Sequence, residues 1–305
     1  MSATLACPRC AAALAPGDRF CAECGARVGP AEPPVSGGRA EAAGPGLAGQ
    51  TDPGVTHTLN QDAFALSGPA GGGAGTLMVL CDGVSNSQTP ELGAATAARV
   101  AHDALAAARE VALDGGADPA AAMAAAIRVA HDAVCALPFD RQAALDPPAT
   151  TIVAAWVGAD GATLGWLGDS RAYALGNGEG RVLTRDHSWL AMVLERGTVT
   201  EAEARRDPRA HALVACLGTT DFARPSPCPD PGVLHVPAPA TPGGWLLLCS
   251  DGLWNYAETA AAISVAAGEG LHGDAADLCA RLVAFARRSG GRDNITVLAA
   301  RWGGG

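Results

Sequence analysis

Lysine is absent: every one of the 21 basic residues in this 305-residue chain is an arginine, set against 31 acidic residues for a formal net charge of −10. Together with the abundance of Ala, Gly and Pro, that absence reads as a genomic compositional bias, so the alanine-rich stretch 120–126 says little about packing. It also bears on Gly71, Gly72 and Gly73, which lead into a strand-like run with no Lys-Ser or Lys-Thr and no helix behind them. The triplet reads as a hairpin turn and not as a phosphate loop. No basic stripe interrupts the acidic balance, which disfavours a nucleic-acid partner because like charges would repel. Long apolar runs are also missing. The run 245–249 is typical, and a membrane span needs roughly 20 residues, so no membrane association is expected. The first ten residues, MSATLACPRC, lack a charged start followed by an apolar stretch of signal-peptide length, and a soluble cytoplasmic protein is the expectation.

What is present suffices for a large core. The chain is 49% hydrophobic and 17% charged, which excludes global disorder, and its length fits about two domains or one with an appendage. Of the ten cysteines, four form a local pattern: Cys7 and Cys10 make one C-x-x-C, Cys21 and Cys24 another. Two such pairs can close a tetrahedral site around one zinc ion with no open position, so residues 1–28 are expected to be a zinc ribbon with one structural zinc. Four unrelated thiols and a redox pair are the competing readings, although no βαβ context surrounds either motif. Residues 29–47 are Gly, Pro, Ala and Glu with little to bury, the composition of a flexible linker. The ribbon is near neutral, so a recruitment role would point to a protein partner over nucleic acid, and the acidity belongs to the large domain, 48–302.

In that domain strand-like and helical runs alternate without the strict rhythm of a parallel sheet. Strands are expected over 76–81, 151–157, 162–167, 172–175, 245–249 and 295–302, with helices over 90–113, 119–137 and 275–288. Proline stands near the start of each of the first two helices, and Arg287 and Arg288 suit the negative C-terminal end of the third. Five aspartates, Asp62, Asp82, Asp169, Asp251 and Asp293, each sit at the edge of a strand-like run beside Gly, Asn, Gln or Ser. Taken singly, each reads as a turn residue. Taken together they offer the hard oxygen ligands that magnesium and manganese prefer.

The segments Asn60-Gln61-Asp62, Cys81-Asp82-Gly83, Gly168-Asp169-Ser170-Arg171, Asp186-His187-Ser188, Ser250-Asp251-Gly252 and Asp293-Asn294-Ile295-Thr296 occur in that order. Together they resemble the metal-dependent type 2C serine/threonine protein phosphatases of bacteria, over about residues 48–302. The resemblance implies an α+β fold, a four-layer α-β-β-α sandwich of two antiparallel sheets flanked by helices. It implies two Mn²⁺ or Mg²⁺ ions, with Asp82 bridging them, Asp62 and the Gly83 carbonyl serving one, and Asp251 and Asp293 serving the other. Asp169 would help to hold a third, weaker ion. The implied reaction is hydrolysis of phosphoserine or phosphothreonine in a phosphoprotein, by water activated between the ions, in opposition to a serine/threonine kinase.

Two departures stand out. Five residues before Asp62, where the family usually places a phosphate-binding arginine, this chain has His57. After Gly83, where bacterial relatives often continue Met-Gly-Gly-His, it reads Val84-Ser85-Asn86-Ser87, so no histidine follows to act as general acid. These departures motivate the alternative, a weak or inactive phosphatase-fold module that binds phosphorylated partners, with the ribbon for recruitment. The stretch 190–221 resembles the family's flap over the site. Its Arg205, Arg206 and Arg209 either touch an acidic phosphopeptide or are solvated surface residues. The remaining histidines, His102, His131 and His211 among them, read as surface or packing residues, and Cys81, Cys135, Cys216, Cys228, Cys249 and Cys279 as apolar fillers or free thiols.

Overall fold

The computed structural model describes residues 5–6, 12–14, 40–44, 46–68, 75–113, 118–176, 180–218, 227–239 and 243–303. Two compact units divide the chain, Met1–Pro33 and Pro34–Gly305. In the first, β1 (Leu5–Ala6) and β2 (Ala13–Leu14) pair antiparallel. Cys7, Cys10, Cys21 and Cys24, and the turn expected at 71–73, lie outside the described residues.

The second unit opens with β3 (Ala40–Gly44), β4 (Leu47–Asp52), β5 (Asp62–Ser67) and β6 (Thr76–Asp82). Helices α1 (Pro90–Leu113) and α2 (Pro119–Cys135) follow, then β7 (Ala149–Thr150), β8 (Ile152–Val157), β9 (Gly161–Leu167), β10 (Arg171–Leu175) and β11 (Arg181–Val182). Next come α3 (Trp189–Arg196), α4 (Glu201–Ala204), β12 (Leu217–Gly218), β13 (Gly232–Pro237) and β14 (Gly244–Cys249). After them stand α5 (Asp251–Trp254), α6 (Ala260–Ala267), α7 (Ala275–Ser289) and β15 (Ile295–Trp302). Local chemistry accounts for the helix ends: Asp118 accepts from the Ala120 amide ahead of Pro119, and Asp274 accepts from the Asp277 amide to start α7.

Two antiparallel sheets carry the fold, one in the order β11-β10-β14-β15-β4-β3 and the other in the order β13-β9-β8-β6-β5. Alternation along the central strands sets the layers. In β14, Leu246 and Leu248 join Met78 and Leu80 of β6 and Leu164 of β9 in the core between the sheets. Trp245, Leu247 and Cys249 of the same strand instead join Leu278 and Leu282 of α7. Leu77, Val79 and Cys81 of β6 likewise meet Leu105 of α1 and Met123 and Ile127 of α2. Both faces of these strands are covered, which is why they read as unbroken apolar runs, and each leucine so buried contributes about 1.5 to 3 kcal/mol. The result is the expected α-β-β-α sandwich.

One boundary needs correction. The linker expected over 29–47 includes β3, which pairs with β4 from Ala40↔Thr51 to Gly44↔Leu47. An edge strand is held by backbone bonds to its neighbour, and a run of Ala, Glu and Gly gives no side-chain pattern to announce it.

Candidate metal centre

The five aspartates come from strand ends of both sheets. Asp62 and Asp82 are directly paired in the β5–β6 ladder. Asp169 lies in the turn between β9 and β10, Asp251 opens α5 behind β14, and Asp293 precedes β15. Asp82, Gly83, Asp169, Asp251 and Asp293 line one cleft of about 410 Å³, and Asp62 is fully buried. Close backbone approach draws these ends together. The Gly83 amide donates to the Gln61 carbonyl at 3.1 Å, and a Cβ on Gly83 would stand 2.6 Å from the Pro90 carbonyl oxygen. Any larger residue would therefore spread the very segments that present Asp62 and Asp82. Asn294 ties the loop before β5 to the start of β15: its Oδ1 accepts from the Gln61 amide at 2.7 Å, and its Nδ2 donates to the Pro53 and Leu59 carbonyls.

Asp62 is oriented by a buried hydrogen-bond chain whose polarity is fixed at one end. Asn60 Oδ1 accepts from the Asp62 amide, so its Nδ2 must be the atom that donates to Thr51 Oγ1 at 2.7 Å. Thr296 Oγ1 donates to Asp62 Oδ2 at 2.6 Å, which leaves Thr51 as the donor in the 2.6 Å bond between the two threonines. Ser250 Oγ, which accepts from the Thr296 amide, donates to Asp62 Oδ2 at 2.9 Å. Oδ2 thus receives two donors while Oδ1, equally buried, has no hydrogen-bond donor among the described residues. An unpartnered carboxylate oxygen in the interior costs about 1 to 3 kcal/mol or more unless something positive meets it.

Electrostatics tell the same story. Burial raises the Asp62 carboxyl to about 6, opposed by the Thr296 and Ser250 hydroxyls and assisted by the charge of Asp293. Burial and then the charge of Asp186 raise Asp169 to about 7. Asp82 and Asp251 are pushed well above the usual carboxylate range, first by burial and then by the charges of the other aspartates. Carboxylates gathered at one cleft repel one another, and a divalent cation is the natural counter-charge. Among the described residues, no three or more His, Cys, Asp or Glu side chains are grouped closely enough to hold a metal ion in the arrangement seen. The carboxylates instead line an open cleft, and their oxygen-only donor set, with the bare Asp62 Oδ1, suits magnesium or manganese.

His57 stands beside this group, its Nε2 3.7 Å from Asp293 Oδ1. Residues 84–87 line the cleft with side chains already engaged: Ser85 donates to Gln61 Oε1 and Asn86 to Asp146 Oδ2. In the flap, Arg205 pairs with Glu201 and Glu258, and Arg209 pairs with Asp207 over the Trp189 ring, so both are tied within the fold. Arg206 is exposed. His131 is buried against Cys135 and the Gly218 amide, a packing role, while His102 meets Ser67. Cys81, Cys249 and Cys279 are buried free thiols. Nothing in the sequence singles out Ser250, Thr296 or Asp146 for a role, and His211 reads there as a surface or packing residue. The two hydroxyls belong to motifs beside Asp251 and Asp293, which was the available signal; the other two had none.

Comparison with known proteins matches this architecture. A family description, protein phosphatase 2C, fits residues 55–267, and a zinc-ribbon domain description fits residues 3–28. The chain belongs to the protein phosphatase 2C family. A relative from Listeria innocua, "Serine/threonine phosphatase stp", is 32% identical over 154 residues, 50% of this chain and 57% of the relative. The chain thus spans just over half the length of such curated relatives in alignment. The crystal structure of the Mycobacterium tuberculosis serine/threonine phosphatase PstP/Ppp is similar with a TM-score of 0.64 and 26% identity, covering 88% of this chain and 100% of that one. A PstP catalytic domain in complex with two manganese ions has a TM-score of 0.59 and 26% identity over 87% of this chain and 99% of that one. Among the described residues, no helix is long and apolar enough to cross a membrane.

Proposed function

We propose that this protein hydrolyses phosphoserine and phosphothreonine in proteins with the aid of Mn²⁺ or Mg²⁺. The observation that carries the reading is the gathering of Asp82, Asp169, Asp251 and Asp293 on one cleft, with the buried, unpartnered Oδ1 of Asp62 behind it. Similarity to serine/threonine phosphatases of Listeria and Mycobacterium, one of them manganese-bound, supports it. The ions would be held by Asp62, Asp82, the Gly83 carbonyl, Asp251 and Asp293, with Asp169 toward a third. When bound, they supply charge neutralisation for the phosphoryl group and acidify an attacking water. The chain's own residues do the rest. Ser250 and Thr296 hold Asp62 as an acceptor, Asn255 Nδ2 donates to Asp251 Oδ2 at 3.1 Å, and the Asn294 amide donates to Asp293 Oδ1 at 2.8 Å, so these three carboxylates are aimed before a ligand arrives. His57, beside Asp293, receives the substrate phosphate with a single ring N–H where an arginine would offer two.

The zinc-ribbon match accords with one structural zinc on Cys7, Cys10, Cys21 and Cys24, and with a protein-recruiting role for that segment. A cytoplasmic site of action opposite a serine/threonine kinase completes the proposal. Hydrolysis of an aryl phosphate and a phosphoserine peptide with manganese, and its loss in chelator, is the test. Tight phosphopeptide binding without turnover would favour the binding-module alternative.

A further inference from the structure

The cleft contains an imidazole that the family motifs do not supply. His211 lines it together with Asp82, Asp169, Asp251 and Asp293, and also lines an adjoining cavity of about 140 Å³ in which Asp169 appears again. His211 therefore stands where the two cavities meet. The backbone next to it is pinned through Ala212, whose amide donates to the Arg209 carbonyl at 2.8 Å and whose carbonyl accepts from the Trp189 amide at 2.8 Å. Arg209 stacks 4.4 Å above the Trp189 ring, and Ser188 bridges to Leu213. The main chain is thus held, and His211 is an exposed residue on the lining of the cleft.

Among the described residues that line the cleft, His211 is the only imidazole. Residues 84–87 carry an apolar side chain, two hydroxyls and an amide, of which Ser85 is committed to Gln61 and Asn86 to Asp146. Cys216 also lines the cleft, but burial pushes its thiol up to about 11. Asp82, Asp169, Asp251 and Asp293 are the proposed ligands, and Asp146 accepts from Asn86 Nδ2. A seryl oxygen leaving as an alkoxide is strongly basic, so its departure from phosphorus needs a proton in the transition state.

We propose that His211, reaching in from the flap, contacts the leaving seryl or threonyl oxygen and protonates it, the task left open by Val84-Ser85-Asn86-Ser87. This rests on the phosphatase reading. Water oxygen bonds to phosphorus, the phosphorus–seryl oxygen bond breaks with its electron pair passing to that oxygen, and a ring N–H of His211 supplies the proton. The proton lost by the attacking water returns to that ring nitrogen, so the sum is phosphoserine plus water giving serine plus phosphate.

The test compares leaving groups. With manganese present, kcat and KM are measured for wild type and His211→Gln on a phosphoserine peptide and on p-nitrophenyl phosphate, whose leaving group needs no proton. The expected result is a fall of about 100-fold in kcat on the peptide, within the usual range for a general acid, and less than about threefold on the aryl ester, with KM little changed and the melting temperature preserved. An equal loss on both substrates, or no loss on either, overturns the assignment of His211. Failure of wild type to turn over both substrates would instead overturn the phosphatase reading, and this proposal with it.

Discussion

Replacing Asp169 by Asn should stabilise the metal-free protein in a pH-dependent way. The carboxyl is 8% exposed, and burial followed by the charge of Asp186 lifts it from 3.8 to about 7. Between those values the native state keeps a proton that the unfolded chain has released, so stability falls as pH rises, by about 1.4 kcal/mol per pH step. The stabilising proton is fully in place below about pH 4 and its benefit is gone above about pH 7, leaving a penalty of about 4 kcal/mol at pH 8. Asparagine cannot ionise and escapes that penalty. The advantage of Asp169→Asn should grow from about 1 kcal/mol at pH 4.5 to about 4 at pH 8, a rise in melting temperature on the order of 10 °C for a domain of this size. Melts followed by circular dichroism in chelator across that range supply the measurement. Saturating manganese should shrink or reverse the advantage, since the variant lacks a proposed ligand. An advantage independent of pH, or a variant less stable than wild type at pH 8, would refute the picture of a destabilised carboxylate cluster.

Three further outcomes follow from particular contacts. Thr296→Val keeps the shape but removes the 2.6 Å donor to Asp62, a charge-assisted bond worth about 1.5 to 3 kcal/mol, so manganese affinity measured by calorimetry should fall about tenfold to a hundredfold; unchanged affinity contradicts the orienting role. His57→Arg should lower KM for a phosphopeptide near pH 8 without altering the metal requirement, whereas an unchanged or higher KM means that phosphate is held elsewhere. Cys21→Ser should cost the protein one tightly held zinc while aryl phosphate hydrolysis continues, and a wild type without zinc by metal analysis refutes the ribbon assignment.

Much of the sandwich could be read from the chain because its central strands are covered on both faces. The runs at 76–81 and 245–249 and the helix Pro90–Leu113 carry their burial in local composition. β3 does not: its partner is the backbone of β4, and nothing in Ala40–Gly44 marks a buried face. The same distinction governs the site. The aspartates were visible because each interrupts an apolar run with a turn, yet their convergence is a property of two sheets meeting. Thr296 and Ser250 act on Asp62 across 234 and 188 residues, a distance over which a hydroxyl leaves no local signature. His211 sits in a flap rich in Ala and Arg, where a lone histidine carries no periodicity, and only the cavities reveal its neighbours.

The central claim is that these carboxylates hold the ions that drive phosphate ester hydrolysis, and one comparison addresses it most directly. Phosphate release from a phosphoserine peptide is measured for wild type and Asp251→Asn over a manganese titration, with manganese binding followed in parallel. Wild type should turn over only with metal, and the variant should bind manganese more weakly and lose most turnover while keeping its fold, because Asp251 lies beyond the apolar run of β14. Near wild-type release by Asp251→Asn, or manganese-independent release by wild type, would contradict the account.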